Sequence, residues 1–274
     1  MAGDDASLTI AGERYELAVA DDFAGPRVDE GLWLDHYLPH WTTAERSAAR
    51  YDLGSEGLQL RIDADQPAWR AEDGRMRVSN IQNGAFSGDA GSERGTHRHT
   101  AGLLVRTPVP IRRPWTPLAG YVEATLRAPA DPGCMLAIWL VGFEESGPAD
   151  SGEITIAELF GERIAPERST VRCGVKAVND LRLVTDVADI ELPIDATAAH
   201  RYGAAWNAER VHLLVDGEVV RTLDQGVGYP LQLMIDLFEF PATEERPPAA
   251  YPKTALIQSV RAYRRSDPQQ DSPL

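Results

Sequence analysis

The sequence predicts an all-β protein, built as a β-sandwich or a β-barrel. Short runs of alternating polar and apolar residues recur along the chain, and Gly, Pro or Asp residues separate them. No segment shows a long helical period. The 274 residues, with 43% hydrophobic content, suffice for one large β domain or for two small ones. Because no repeat or linker divides the chain, a single domain is the simplest organisation.

The predicted strands follow one another from residue 57 to residue 264. The most distinct pair is a hairpin over residues 211–220, in which Asp216-Gly217 suits a two-residue type I′ turn. Long connections at 64–76 and 87–100 interrupt the series, and loops of this length in a compact domain are often functional. The other predicted strands are 57–63, 77–82, 102–107, 121–128, 135–142, 153–161, 170–177, 185–192, 200–207, 231–240 and 255–264.

Charge and composition exclude several classes of partner. The formal net charge is −15, which disfavours nucleic acid and strongly anionic substrates. No apolar run reaches the length of a membrane span. The acidic N-terminus is not a signal peptide, so we expect a cytoplasmic protein, or a secreted one if a leader has been removed. Cys134 and Cys173 are expected to be buried thiols, with a disulfide between them as the alternative.

The segment from Gly152 to Leu159 carries the strongest candidate chemistry. It reads as a strand with two isoleucines on one face and Glu153 and Thr155 on the other. A β-bulge that absorbs Ala157 would return Glu158 to the face of Glu153. Two carboxylates in one cleft are the working groups of glycoside hydrolysis. The alternative is a solvated sheet face without catalysis.

Several short segments of the sequence, in the same order along the chain as in the family, resemble glycoside hydrolase family 16, the laminarinase-like β-jelly rolls. The resemblance implies a single-domain jelly-roll sandwich of two antiparallel sheets with a concave substrate cleft. It spans residues 17–264, between an N-terminal segment, 1–16, and a flexible tail, 265–274. The matching pieces are Asp21-Asp22-Phe23-Ala24-Gly25 with Leu32-Trp33, residues 120–127 (GYVEATLR), residues 136–140 (LAIWL), the acidic motif at 153–158, His200-Arg201-Tyr202 with Trp206, Val215-Asp216-Gly217, and residues 251–253 with 260–263.

The resemblance implies a retaining double displacement. Glu153 would be the nucleophile, and Glu158 would be the general acid and then the general base. Thr155 stands where the family motif has Asp, and it donates a hydrogen bond but carries no charge. We therefore expect slower or differently pH-tuned catalysis, a substrate outside the common glucanases, or a complete loss of catalysis. The family's active-site histidine has no clear match near residues 173–176.

Aromatic and polar residues outside the motif are candidates for substrate binding. Trp139 suits stacking on a pyranose ring, with core packing as the alternative. Trp115, His97 and Asp236 are further candidates for contacts with the sugar. The spacing of His97 and His99 is weak evidence for zinc, so no metal site is predicted and no cofactor is required. Some family members carry a structural calcium, but no ligand loop for it is visible here.

The leading hypothesis is a retaining endo-glycosidase that hydrolyses a neutral β-linked polysaccharide, for instance a β-1,3-glucan. The expected partner is an oligo- or polysaccharide, not nucleic acid or a membrane. A non-catalytic, lectin-like protein on the same fold is the first alternative, because fold does not fix function. A transglycosylase is the second, because a sugar can replace water in resolving the covalent intermediate.

Overall fold

The computed structural model describes residues 6–242 and 246–266, which form an all-β sandwich as the sequence predicts. The described helices are a four-residue α-helix, α1 (Ala44–Ser47), and short 3-10 turns. The strands are β1 (Ser7–Ile10), β2 (Glu13–Asp21), β3 (Arg50–Gly54), β4 (Gly57–Ile62), β5 (Arg77–Gln82), β6 (Gly120–Arg127), β7 (Cys134–Gly142), β8 (Glu153–Phe160), β9 (Ile164–Ala165), β10 (Arg168–Lys176), β11 (Asp186–Leu192), β12 (His200–Trp206), β13 (Val211–Val215), β14 (Glu218–Leu223), β15 (Leu231–Glu239) and β16 (Lys253–Arg265). The 3-10 turns are Pro39–Trp41, Gly161–Arg163 and Pro248–Ala250.

The strands form two antiparallel sheets. The first has the order β1-β2-β16-β6-β12-β13-β14, with β4 also paired to β16 and β3 paired to β4. The second has the order β11-β10-β8-β7-β15-β5, with β9 paired to β10. The long strand β16 accommodates two partners along one edge, because its first half pairs with β4 and its second half with β2. The jelly-roll sandwich that the family resemblance implies is therefore confirmed.

The main core lies between the two sheets. It follows from strand alternation, because every second residue of a strand faces the partner sheet. In β7, Leu136, Ile138 and Leu140 are fully buried in this core, and they meet residues such as Val122 and Ala204 from the first sheet. Burying such apolar surface supplies most of the stabilising free energy of a sandwich.

A second apolar cluster covers the other face of the second sheet, which we call the cleft face. Here the alternate residues of β7 and β15, including Trp139 and Met234, pack against three aromatic residues. These are Tyr37 and Trp41 from the connection between β2 and β3, and Trp69 from the connection between β4 and β5. Loops thus build walls on this face.

Most predicted strands are present, but one is wrong and four were not predicted. Residues 102–107 form no strand. Leu103 and Val105 are buried against the cleft-face cluster while Leu104 is 49% exposed, so a docked loop produced the alternation. Of the unpredicted strands, β1, β2 and β3 pair near the edges of the first sheet, and the two-residue β9 pairs with β10 in the second. The proposed boundary at residue 17 falls inside β2, and the proposed tail begins at the last residue of β16; residues 267–274 lie outside the described chain.

Local turn chemistry agrees with the sequence at the β13–β14 hairpin. Asp216 and Gly217 have φ of 52° and 86°, the two positive values that a type I′ turn requires. The two cysteines are free and buried, as expected. Burial raises the pKa of Cys134 to about 12 and that of Cys173 to about 11, so both thiols stay protonated near neutral pH.

Candidate active site

A β-bulge in β8 sets the direction of the acidic side chains. Ile138 of β7 pairs with Ala157, whereas Trp139 pairs with Thr155, so Ile156 has no partner on β7. The extra residue is therefore Ile156 rather than Ala157, the position expected from the sequence. Both side chains are buried in the main core, since a bulge lets two successive residues face the same side.

The bulge places three polar residues of β8 on the cleft face. Glu153, Thr155 and Glu158 lie opposite Val141, Trp139 and Ala137 of β7, and all three of these partners belong to the cleft-face cluster. Directly opposed residues of an antiparallel pair share one face of the sheet. The structure therefore brings together the two glutamates and the threonine that the motif predicts.

The ammonium of Lys176 joins the two glutamates. Its Nζ lies 2.8 Å from Oε1 of Glu153 and 2.7 Å from Oε1 of Glu158. The two oxygens can therefore be no further apart than the sum of these distances, about 5.5 Å. Carboxyl groups in retaining glycosidases stand about 5–5.5 Å apart, whereas those in inverting enzymes stand about 6.5–9.5 Å apart.

The carboxylates of Glu153 and Glu158 differ in their hydrogen bonds and in their exposure. The Thr155 hydroxyl donates a hydrogen bond of 2.7 Å to Oε1 of Glu153. The Glu153 side chain is 5% exposed, and that of Glu158 is 13% exposed. Glu153 is thus the more tightly held carboxylate, and Glu158 is the more accessible to water.

The buried carboxyl group of Asp236 holds the Trp139 side chain in place. Its indole Nε1 donates to Oδ2 of Asp236, and Oδ1 of Asp236 accepts a 2.8 Å hydrogen bond from the Asn80 side chain. Burial raises the pKa of Asp236 to about 8, and the charge of Glu153 acts in the same direction. Asp236 is 0% exposed, so the expected contact between Asp236 and substrate does not fit this structure. Its contact is with Trp139.

The loop after residue 95 brings His97 to the same site. Its ring meets Trp139 edge to face, with centroids 5.0 Å apart, and lies parallel to His99 at 6.0 Å. Burial lowers the pKa of His97 to about 3, and the charges of His99 and Lys176 act in the same direction, so the imidazole is neutral. Its Nδ1 is buried without a partner among the described residues.

Glu144 holds this loop in place. Its Oε1 accepts a 2.6 Å hydrogen bond from the backbone N–H of His97. Both residues have positive φ, 57° and 54°, a strained conformation for residues other than glycine. Burial raises the pKa of Glu144 to about 8, although the hydrogen bond from His97 favours the carboxylate.

A cavity of about 450 Å³ opens beside Glu153. Glu153 and Lys176 line it, and residues 97–101, 178–179 and 185 form its walls. It lies next to the carboxylate that the family resemblance makes the nucleophile. The volume suits a ligand of the size of a sugar ring.

Trp115 is not brought to this site. Its ring packs edge to face against Trp206 of the first sheet, with centroids 6.2 Å apart, beside the main core. The sequence analysis did not select Lys176, Asn80 or Glu144. The sequence does indicate which face of its strand Lys176 occupies, because residues 172, 174 and 176 alternate with apolar residues and so share one face. Only the pairing of β10 with β8 turns that face toward the glutamates.

Within residues 6–242 and 246–266, no group of three or more His, Cys, Asp or Glu side chains is arranged to hold a metal ion. The helices of this part of the chain are too short to cross a membrane.

Comparisons with known proteins agree with this fold. Residues 115–238 match the family model described as glycosyl hydrolases family 16. This segment contains β6 to β14 and all but the last residue of β15, and with them both glutamates, Thr155 and Lys176. The fold and the matched segment are similar to those of an all-β glycoside hydrolase scaffold. The resemblance of the chain to glycoside hydrolase family 16 is confirmed.

Several solved structures share the fold. The GlcNAcα1-4Gal-releasing endo-β-galactosidase from Clostridium perfringens has a TM-score of 0.78 and 24% identity; the match covers 93% of this chain and 64% of that one. The endo-β-1,3-glucanase from Pyrococcus furiosus has a TM-score of 0.64 and 16% identity over 96% of this chain and 99% of that one. The laminarinase from Rhodothermus marinus has a TM-score of 0.65 and 18% identity over 92% and 98%. A search of curated protein sequences found no match.

Proposed function

We propose that the protein is a retaining endo-glycosidase that hydrolyses a neutral β-linked polysaccharide by double displacement. The observation that carries the proposal is the shared contact of Glu153 and Glu158 with Lys176, which limits the separation of their oxygens to about 5.5 Å. That separation suits direct attack by one carboxylate and leaves too little room for the water of an inverting mechanism.

Glu153 is assigned as the nucleophile. Its carboxylate attacks the anomeric carbon while the bond to the leaving oxygen breaks, which gives a glycosyl-enzyme ester. The hydrogen bond from Thr155 orients Glu153 and stabilises its negative charge before attack. The low exposure of this side chain keeps competing water away from it.

Glu158 is assigned as the general acid and base. Its proton passes to the leaving glycosidic oxygen, and its carboxylate then takes a proton from the water that cleaves the ester. The greater exposure of its side chain supports this role, because both steps need exchange with solvent or substrate. Trp139, braced by Asp236 and flanked by His97, is proposed to contact the sugar ring.

Two substrate classes follow from the similar structures. The glucanase and laminarinase support a β-1,3-glucan, as the sequence analysis expects. The endo-β-galactosidase has the higher TM-score and supports a glycan with internal β-galactosidic bonds. A panel of both classes, assayed for new reducing ends, is the first experiment. Proton NMR of the first product should show the β-anomer, because two displacements retain configuration.

Variants of the two glutamates test the assignment. Glu153→Gln should lower kcat by more than about 10³-fold, and Glu158→Gln by about 10²–10⁴-fold. The exposed Glu162, just beyond β8, offers a matched control, and Glu162→Gln should keep wild-type activity. Azide added to Glu153→Ala should restore cleavage and give the α-glycosyl azide, because azide then attacks from the vacated side.

The alternatives predict different results. Glycan binding without turnover in the wild type would contradict the proposal and favour a lectin-like protein. Transfer products that predominate when acceptor sugars are added would favour a transglycosylase with the same covalent intermediate.

A further inference from the structure

Lys176 occupies an unusual position between the two proposed catalytic carboxylates. It is the last residue of β10 and pairs across the sheet with Glu153, and its ammonium reaches Glu158 as well. Burial alone disfavours the charged ammonium, but the charges of Glu153 and Glu158 outweigh it, so the pKa of Lys176 is raised. Lys176 is therefore a cation at neutral pH.

No other cation of the described chain forms an ion pair with either glutamate, because the basic residues nearby are otherwise engaged. Arg172 binds Asp189 and lies over the Phe160 ring. Arg98 pairs with Glu93. The ring of His97 is neutral, as its lowered pKa shows. Lys176 is thus the one cation among the described residues that forms an ion pair with the glutamates, while Arg172, opposite Glu158 on β10, adds a further electrostatic interaction with Glu158.

Two carboxylates this close repel one another, and the motif itself offers no relief. Thr155 stands where an ionisable Asp is expected from the family pattern, and its hydroxyl binds only Glu153. A cation that contacts both carboxylates offsets the repulsion and favours their charged forms. Without it, the repulsion between the two carboxylates would not be offset, and their side chains would move apart.

We propose that Lys176 is a positioning residue for the proposed hydrolysis: its ammonium holds the Glu153 and Glu158 carboxylates close enough to act on one sugar, and its charge shapes the pH dependence of the reaction. This inference rests on the proposed function. In the reaction, Glu158 takes a proton from solvent, exchanges its contact with Lys176 for one with the glycosidic oxygen, and gives that oxygen the proton. Lys176 stays on Glu153 until the new bond to the anomeric carbon removes the carboxylate charge.

The test compares Lys176→Met, which removes the charge at similar length, with Lys176→Arg, which keeps it. The groups that face Lys176 are Glu153 and Glu158 from β8 and His97 from the loop, with Arg172 on its own strand. We expect the pH optimum of kcat/KM to move at least one pH unit higher in Lys176→Met. Lys176→Arg should restore the optimum to within half a unit of the wild type. A merely structural role would lower activity at every pH without moving the optimum.

An unchanged optimum in a folded Lys176→Met protein that retains measurable activity would overturn the inference and leave the glycosidase assignment intact. If the wild type cleaves no glycan, the proposed function fails. Crystal structures of the wild type and of Lys176→Met then test separately whether Lys176 holds the two carboxylates together. Above pH 7, the separation of the nearest glutamate oxygens should exceed 5.5 Å in Lys176→Met. The wild-type separation in that variant would again overturn the inference. Lys176→Gln replaces Lys176→Met if the latter does not fold.

Discussion

The Thr155 hydroxyl is the one polar group within the bulged motif that contacts a glutamate. It donates to Glu153, and hydrogen bonds to charged groups are worth about 1.5–3 kcal/mol. We predict that Thr155→Val, which keeps the shape but removes the hydroxyl, lowers kcat about 10- to 100-fold. Thr155→Ser keeps the hydroxyl and should retain most activity. Steady-state kinetics of both variants on the glycan selected from the panel provide the measurement.

The two variants also separate orientation from packing. Thr155 is fully buried beside Trp139, so a packing role would appear as a loss of stability in Thr155→Ser, which removes the methyl group, and not in Thr155→Val, which keeps the shape. Equal kcat in Thr155→Val and the wild type would show that the hydroxyl does not orient the nucleophile.

Some site residues could be predicted from local pattern and others could not. The common face of Glu153, Thr155 and Glu158 follows from alternation plus one bulge, both local properties. The positions of Lys176 and Asn80 depend on which strands are neighbours, and no local pattern contains that information. The burial of Asp236 could not be predicted: strand parity places it on the cleft face, but its carboxyl group is fully buried and binds Trp139 and Asn80.

At the scale of the element, the bulge of β8 depends on its neighbour β10. Ile156 and Ala157 together face a single residue there, because Arg172 pairs with Glu158 and Gly174 pairs with Thr155. Gly174 has φ +155°, and a Cβ added to it would lie 2.1 Å from the backbone oxygen of Asp186 in β11. A side chain at this position would therefore push β11 away from the strand that carries Lys176.

We predict that Gly174→Ala destabilises the protein by about 3 kcal/mol, from overpacking and backbone strain together. Gly54→Ala is the control, because Gly54 also lies in a strand but no atom would crowd its Cβ. Urea unfolding followed by tryptophan fluorescence measures the difference in the free energy of unfolding. Equal stability of the two variants would contradict the role assigned to Gly174.

Strand prediction succeeded where alternation and turn chemistry agree. The β13–β14 hairpin has both signals, and the structure contains it. The loop at residues 102–107 has alternation without a partner strand, because its apolar residues dock on the cleft-face cluster instead. Burial pattern alone therefore cannot distinguish a strand from a docked loop, since both bury every second side chain.

At the scale of the whole molecule, four buried side chains link stability to pH. Burial lowers the pKa of His40 to about 4 and that of His97 to about 3, from 6.5. Below pH 6.5 the unfolded chain therefore binds protons that the folded chain does not. Each histidine then removes about 1.4 kcal/mol of stability per pH unit as pH falls, until its folded pKa is reached.

The buried acids act in the opposite direction. Burial raises the pKa of Glu144 and Asp236 to about 8, from 4.5 and 3.8. Between those values the unfolded chain releases protons that the folded chain keeps, so stability falls as pH rises toward 8. These four groups oppose one another between about pH 4.5 and 6.5, and above pH 6.5 the two acids act alone.

Glu144→Gln should isolate one of these contributions. Gln keeps an oxygen that can accept the backbone N–H of His97, so the loop beside Trp139 should stay in place. The wild type should lose more stability than this variant between pH 6.5 and 8, by about 1–2 kcal/mol in urea unfolding. Glu145→Gln is the matched control, because Glu145 forms a partly exposed ion pair with Arg113. If Glu144→Gln loses as much stability as the wild type over this range, Glu144 is already ionised in the folded protein, and the His97 loop is then held by a charged carboxylate.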